Sequence, residues 1–178
     1  DADAPAYDDI IQSRSGLTDL NANSEGAPQF LRTIAADKVV GLHLALAVAS
    51  GLIQKERTGK GVCIEAPMLE SMVSFLLSEH LAGKTLVPSE GELGYDRMMT
   101  PNRKPHKTKD GYLVILPYST RHWIRFFQLC ELEDWATANK VVDPLLRSKH
   151  IDELYGKISE LAPSKTTAEW LKVLAEQD

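Results

Sequence analysis

Arg32-Thr33-Ile34-Ala35-Ala36-Asp37-Lys38-Val39-Val40-Gly41-Leu42-His43-Leu44-Ala45-Leu46-Ala47-Val48-Ala49-Ser50-Gly51-Leu52-Ile53 is the stretch on which the reading of the chain turns. From Val39 to Ile53 almost every residue is apolar or small, so no i, i+3, i+4 stripe survives. A helix that is apolar on every face is ordinarily buried, and the pattern predicts a buried helix over about residues 36–56. Taken as the run 39–53, it is too short and too interrupted by Gly and Ser to span a bilayer. Asp37 stands at its start, where the helix dipole and unpaired backbone N–H groups favour a carboxylate. Two readings of it are open. It caps the helix, or it is an ionised carboxylate held at the mouth of a buried helix and available as a nucleophile.

Downstream, Thr58-Gly59-Lys60-Gly61 reads as the turn that closes this helix; the spacing of a phosphate-binding loop is absent. Val62–Ala66 reads as a buried strand. Pro67 then opens a helix over about 67–82, since a first-turn proline loses no hydrogen bond. That helix is expected to bury Met68, Leu69, Met72, Val73, Phe75, Leu76 and Leu77, with the methionines as core filler. His80 near its end reads as solvated or as complementing the dipole. Upstream, residues 18–30 are polar and read as a surface loop, and residues 1–6 as an exposed end. Tyr7–Leu17 reads as a short helix stopped near Gly16. On their own, Tyr7 and Asp8 look like a packed aromatic beside a first-turn acid.

Residues 83–103, with Gly83, Pro88, Gly91, Gly94 and Pro101, form the loosest connector and hold the expected domain boundary. Arg97, Arg103, Lys104, Lys107 and Lys109 make its far side the most basic part of the chain, either as solvated surface or as contacts to phosphate groups. Asp110-Gly111 is a hairpin signal between extended stretches 104–109 and 112–117. Ser119 caps an expected helix that turns Trp123, Ile124, Phe126, Phe127 and Leu129 inward and leaves His122 on the surface. Further helices are expected near 134–139, 143–161 and 167–177, the last with a Thr166/Glu169 capping box. Helices separate the few strands, so the fold class is α/β and helix-rich.

Of the 178 residues, 43% are hydrophobic, enough to fill a core. A net charge of −5 without long like-charge runs argues against a nucleic-acid partner. No signal-peptide or membrane-spanning pattern is visible, and no membrane partner is expected. Cys63 and Cys130 lie far apart in apolar settings and read as buried free thiols of a reducing, cytoplasmic compartment. The five histidines are dispersed, so no metal site is expected. A G-x-G-x-x-G fingerprint is absent, so nothing points to NAD.

Ala36-Asp37, then Gly41-Leu42 on an apolar helix, then Arg57-Thr58-Gly59-Lys60-Gly61, then an apolar strand and a second helix, together resemble the family III CoA-transferases. That family holds formyl-CoA transferase and carnitine CoA-transferase and is related to α-methylacyl-CoA racemase. The resemblance runs over nearly the whole chain and implies that it corresponds to the middle of a family member. It implies that Asp37 is the catalytic nucleophile. Tyr7 and Asp8 occupy the places of an aromatic-or-His and acid pair thirty residues earlier, as supporting residues.

The implied activity moves CoA from an acyl-CoA donor to a carboxylic acid acceptor through anhydride and aspartyl-CoA thioester intermediates. No permanently bound cofactor is implied; the coenzyme A thioester is a substrate, and the residues that hold it are not identified. The implied fold is a partial Rossmann-like large domain over 1–66, a linker helix and loop over 67–93, and a small domain over 94–178, in an interlocked homodimer. The N–H groups at the start of the Asp37 helix are candidates to stabilise a tetrahedral oxyanion. Lys38 is open to solvent contact or to pairing with substrate charge. Two rivals are carried. One is a racemase, for which Tyr7, with a reference pKa of about 10, is a poor substitute for His. The other is a non-catalytic interaction fragment. Residues 1–178 on their own are expected not to turn over.

Overall fold

Early acids, a stop glycine and an apolar run lay out the first part of the chain. The computed structural model describes residues 4–91, 93–138 and 141–176. The ends of the expected helices at 139 and 177, and residues 1–3 of the expected exposed end, lie outside the described residues. Two compact units are formed, one up to Gly94 and one from Tyr95 onward.

In the first unit, α1 (Asp8–Arg14) carries Asp8 and Asp9 in its first turn. It ends before Gly16, whose φ of 86° is the left-handed conformation that suits glycine. A short helix, α2 (Leu17–Leu20), follows. The long helix, α3, runs Ala35–Thr58 and ends at Gly59, whose φ of 72° and N–H to Lys55 O (2.8 Å) close the last turn. Next comes α4 (Met68–His80), which opens after Pro67. Helices α1, α3 and α4 pack on one another around Ile11, Ala36, Val40, Met72 and Leu76.

Three expectations are corrected here. First, α3 is largely exposed: only Ala36 and Val40 are buried, while Leu42 is 72% and Leu46 69% exposed. The physical reason is coverage, since α1 and α4 occupy one side and the apolar residues circle the whole helix. It is also 24 residues long, with a mean hydropathy of 1.5 in its most apolar window, so by length and composition alone it is long enough to cross a membrane. Second, Val62–Ala66 forms no strand; it has no paired neighbour among the described residues. It crosses close over α3 at Gly51, where an added Cβ would sit 2.8 Å from Ile64 Cδ1. Val62 and Cys63 are exposed there, so the Cys63 thiol is not buried. Third, Phe75 is exposed and His80 is buried, reversing the order expected on α4.

In the second unit, α5 (Asp96–Met99) precedes a hairpin of β1 (His106–Lys107) and β2 (Tyr112–Leu113), antiparallel with His106 opposite Leu113. Among the described residues only these two-residue pieces pair, so the expected longer strands shrink to a clasp around Asp110-Gly111. Five helices follow: α6 (Thr120–Leu129), α7 (Glu133–Ala138), α8 (Pro144–Lys149), α9 (Ile151–Leu161) and α10 (Thr167–Ala175). The helix expected over 143–161 is thus divided at His150. Ser119 caps α6, with His122 completing the reciprocal box; Thr166 and Glu169 do the same for α10.

The core of this unit is aromatic. Trp123, Phe126, Phe127, Tyr155 and Trp170 are all buried. Phe126 stacks on Trp170 at 5.9 Å and meets Phe127 edge-on at 5.4 Å. Such pairs add about 0.5–1.5 kcal/mol beyond the area they bury. The Trp170 indole N–H finds Ala162 O at 2.8 Å, so its burial leaves no polar group unsatisfied.

Candidate active site at the start of the long helix

The residue before α3, Ile34, has no capping side chain, so the first N–H groups of the helix need acceptors from elsewhere. Asp8 supplies them from α1. Its Oδ1 accepts from Ala36 N at 2.8 Å and from Asp37 N at 3.1 Å. Its Oδ2 accepts from Gln12 Nε2 at 2.6 Å. Gln12 is fully buried and also donates to Thr33 O, while its Oε1 accepts from Leu31 N at 3.0 Å. One buried acid and one buried amide thus fix both the loop entering α3 and the first turn itself.

The other N–H groups of that turn are also engaged: Ala35 N donates to Thr33 O and Lys38 N to Ile34 O. The expectation that these groups await a tetrahedral oxyanion is therefore corrected. Their donors are already committed to protein acceptors.

Asp37 is left without a capping duty. Its side chain is exposed, and among the described residues none hydrogen-bonds its carboxylate. Gly41 stands one turn later, where a side chain would lean back over the preceding turn. A Cβ there would meet nothing within 4 Å, so in these residues the glycine answers no packing demand. Its effect is to leave the helix surface beside Asp37 open. Lys38 turns away to Thr33, with Nζ 2.7 Å from Oγ1.

Tyr7 is 76% exposed, not packed as its local sequence suggested. It sits at the start of α1 with extended backbone, and its carbonyl accepts from Ile11 N at 3.0 Å. Asp8 and Asp37 are thus brought together directly, through the backbone of one and the carboxylate of the other. Tyr7 adjoins them through its peptide to Asp8. Sequence reasoning missed Gln12. Its signal was available: a polar residue beside Ile11 and four residues after Asp8, on the face of α1 that turns inward. Among the described residues, no group of three or more His, Cys, Asp or Glu is placed to hold a metal ion.

The sequence profile of CoA-transferase family III matches residues 1–178, and the chain belongs to that family. It is similar to the succinyl-CoA:glutarate CoA-transferase of Homo sapiens, at 29% identity over 170 residues, covering 93% of this chain and 38% of that protein. It is also similar to a formyl-CoA:oxalate CoA-transferase of Rhodopseudomonas palustris (strain BisA53), at 22% identity over 99% of this chain and 47% of the relative. Among solved structures, the Mycobacterium tuberculosis protein Rv3272 superposes with a TM-score of 0.72 at 25% identity, over 97% of this chain and 44% of its own. The chain spans less than half the length of these relatives.

Proposed function

We propose that this chain carries the nucleophile of a CoA-transferase that moves CoA from an acyl-CoA donor to a carboxylic acid, with Asp37 as the attacking group. The observation that supports this most is the division of labour between two acids. Asp8 caps α3, and Asp37, on the same turn, keeps a carboxylate free. A carboxylate is a competent acyl acceptor when its oxygen is not tied up by donors.

The chemistry balances without redox change. A carboxylate oxygen of Asp37 attacks the thioester carbonyl, the C–S bond breaks, and a mixed anhydride and CoA thiolate result. The thiolate attacks the Asp37 acyl carbon and releases the donor acid, leaving an aspartyl-CoA thioester. The acceptor carboxylate attacks this carbon, CoA thiolate leaves again, and a second anhydride forms. The thiolate then takes the acceptor acyl group and frees Asp37. In this reading Asp8 and Gln12 position Asp37, and Tyr7 hydrogen-bonds the acyl group. Donors for the oxyanions come from outside the first turn of α3.

We assign residues 1–66 to part of a Rossmann-like large domain, 67–93 to a linker helix and loop, and 94–178 to a small domain; the division between the two compact units, after Gly94, supports the start of the last. The apolar surface of α3 would be covered by the remainder of that large domain and by a partner chain in an interlocked homodimer. Two free thiols, Cys63 and Cys130, fit a cytoplasmic protein. Turnover then needs more than residues 1–178, because an Asp without a positioned thioester forgoes a proximity effect of about 7–11 kcal/mol.

The test is mass spectrometry of the transfer-competent protein after incubation with a panel of acyl-CoAs and hydroxylamine. A hydroxamate at Asp37 and at no other acid is expected. A labelled Asp8, or no covalent mark while transfer proceeds, would overturn the assignment. Solvent deuterium entering the carbon next to the thioester at catalytic rates would instead place the protein in the racemase branch.

A further inference from the structure

In the second unit, α5, α6, α8 and α9 contribute to a cavity of about 150 Å³ that holds two guanidinium groups, those of Arg97 and Arg147. The phenol rings of Tyr95 and Tyr118 line it, and Trp123 and Ile151 give it apolar wall. Among the described residues no carboxylate lines it. Two cations brought to one small cavity without an acid between them is an arrangement that costs energy unless an anion completes it.

Both guanidiniums are held in place by neutral partners. Arg97 donates from Nε to Tyr155 Oη at 3.1 Å and lies 4.8 Å above the Tyr118 ring. Arg147 donates from Nη1 to Val141 O at 2.8 Å and to Thr120 Oγ1 at 2.9 Å. Arg97 also hydrogen-bonds Tyr95; burial alone would press its pKa down, but its bonds to the two phenols outweigh that and hold it up. These contacts orient each group, and a guanidinium has five N–H donors in all. Among the described residues neither arginine forms an ion pair. Asp143 acts on Arg147 at longer range, but its Oδ1 is occupied in capping α8 through Leu145 N and Leu146 N. Burial, and then the charge of Arg97, press the Arg147 pKa down.

The geometry points to a binding site for the oxyanion end of a small molecule, a carboxylate or phosphate group, gripped between Arg97 and Arg147. Guanidinium forks suit such groups because their paired N–H donors match two oxygens at once. Size narrows the class. The pocket is small and open on one side, so it takes the oxyanion end of a molecule and leaves the remainder in solvent. The site uses neither Asp37 nor any residue of the first unit, so it goes beyond the proposed transfer chemistry and stands or falls separately from it.

The experiment follows the arginine Nε–H signals of the full chain by NMR during titration with inorganic phosphate, succinate, CoA and, as a neutral control, succinamide. Saturable shifts confined to Arg97 and Arg147 are expected with at least one of the three anions and none with succinamide. Response to succinate alone identifies a carboxylate ligand; response to phosphate and CoA identifies a phosphate. Arg97→Gln and Arg147→Gln should each weaken binding at least tenfold, and Arg147→Lys should retain part of it. Should either Gln variant fail to fold, Arg97→Lys and Arg147→Lys take its place: weakened but measurable anion binding is expected, and wild-type binding by both would overturn the site. Absence of saturable shifts with all three anions, or equal shifts at Arg121 and Arg125, would overturn the site.

Discussion

The two units solve the burial problem differently. The second encloses its own core: Trp123, Phe127, Leu154, Tyr155, Ile158 and Trp170 are all essentially sealed from solvent. The first buries Ile11, Ala36, Val40, Met72 and Leu76 and leaves most of a 24-residue apolar helix uncovered. A contiguous apolar surface of that kind marks an interaction face. The proposed nucleophile belongs to the unit that is not closed, and the self-sufficient unit carries the arginine cavity. If the proposed nucleophile acts, it does so beside an apolar surface that needs a cover, whereas the second unit buries its own aromatic core.

The largest expected effect tests where the chemistry lies. In a transfer-competent protein, Asp37→Asn should lower kcat on the order of 10⁴-fold or more, as loss of a nucleophile does elsewhere, with the helical circular dichroism unchanged. The swap keeps size and removes the attacking anion. Normal transfer by the Asn variant, without deamidation back to Asp, would break the assignment of chemistry to the first unit.

A second test separates the units by stability. All three tryptophans, Trp123, Trp135 and Trp170, belong to the second unit, so their fluorescence reports that unit while helical circular dichroism reports both. Trp170→Ala should cost about 3–5 kcal/mol by opening a core cavity. Its denaturation midpoint by fluorescence should fall, while the part of the dichroism change that fluorescence does not follow stays in place. Fluorescence and dichroism moving together in wild type and variant would join the two units into one cooperative body.

The third acts inside the first unit. Asp8→Ala removes the acceptor for two N–H groups and for Gln12, and hydrogen bonds to charged groups are worth about 1.5–3 kcal/mol. Hydrogen exchange at the Ala36 and Asp37 amides should quicken, with the second unit unaffected. Asp8→Asn should be milder, because an amide oxygen still accepts. Unchanged protection in the Ala variant would remove Asp8 from the positioning role.

How far the sequence carried the reading follows the same division. Helix punctuation was legible wherever it is local: Gly16, Gly59, Ser119 and the Thr166/Glu169 box all act within a few residues. Burial was legible where a helix has one apolar face, as on α6. It failed on α3, whose residues are apolar on every side and so do not say which side is covered. The strand expected at 62–66 failed because β structure needs a neighbour that local pattern does not supply. At the candidate site the place of Asp37 on the helix left a cap and a free carboxylate both open, and the resemblance to the family singled it out; the cap is in fact Asp8. The capping of α3 by Asp8, 28 residues away, was not legible, because a long-range hydrogen bond leaves no periodicity.

The smallest effect is a pH dependence confined to the second unit, and its sign can be worked out group by group. Asp110 Oδ1 accepts from Thr167 N at 2.7 Å and from Thr167 Oγ1 at 2.9 Å, and these bonds hold its pKa below the ordinary 3.8. Glu169 is held below 4.5 by the Thr166 N–H. Burial pushes His106 below 6.5, and the charge of Lys104 adds to it. In each case the unfolded chain takes up protons at a higher pH than the folded one, so stability falls as pH falls. For His106 the fall begins near 6.5 and continues toward its depressed folded value. For the two carboxylates it begins near 4.5 and 3.8 and completes below their folded values. Both acids are exposed, so their share is small. The tryptophan-fluorescence midpoint should therefore slip on acidification from about pH 7 to pH 5, and His106→Gln should flatten that early part. Asp110→Asn should act only on the later part, at the clasp that ties the hairpin to α10. A midpoint that is flat to pH 5 in the wild type would show that His106 titrates as an ordinary surface imidazole, and that the second unit is less closed around it than its burial indicates.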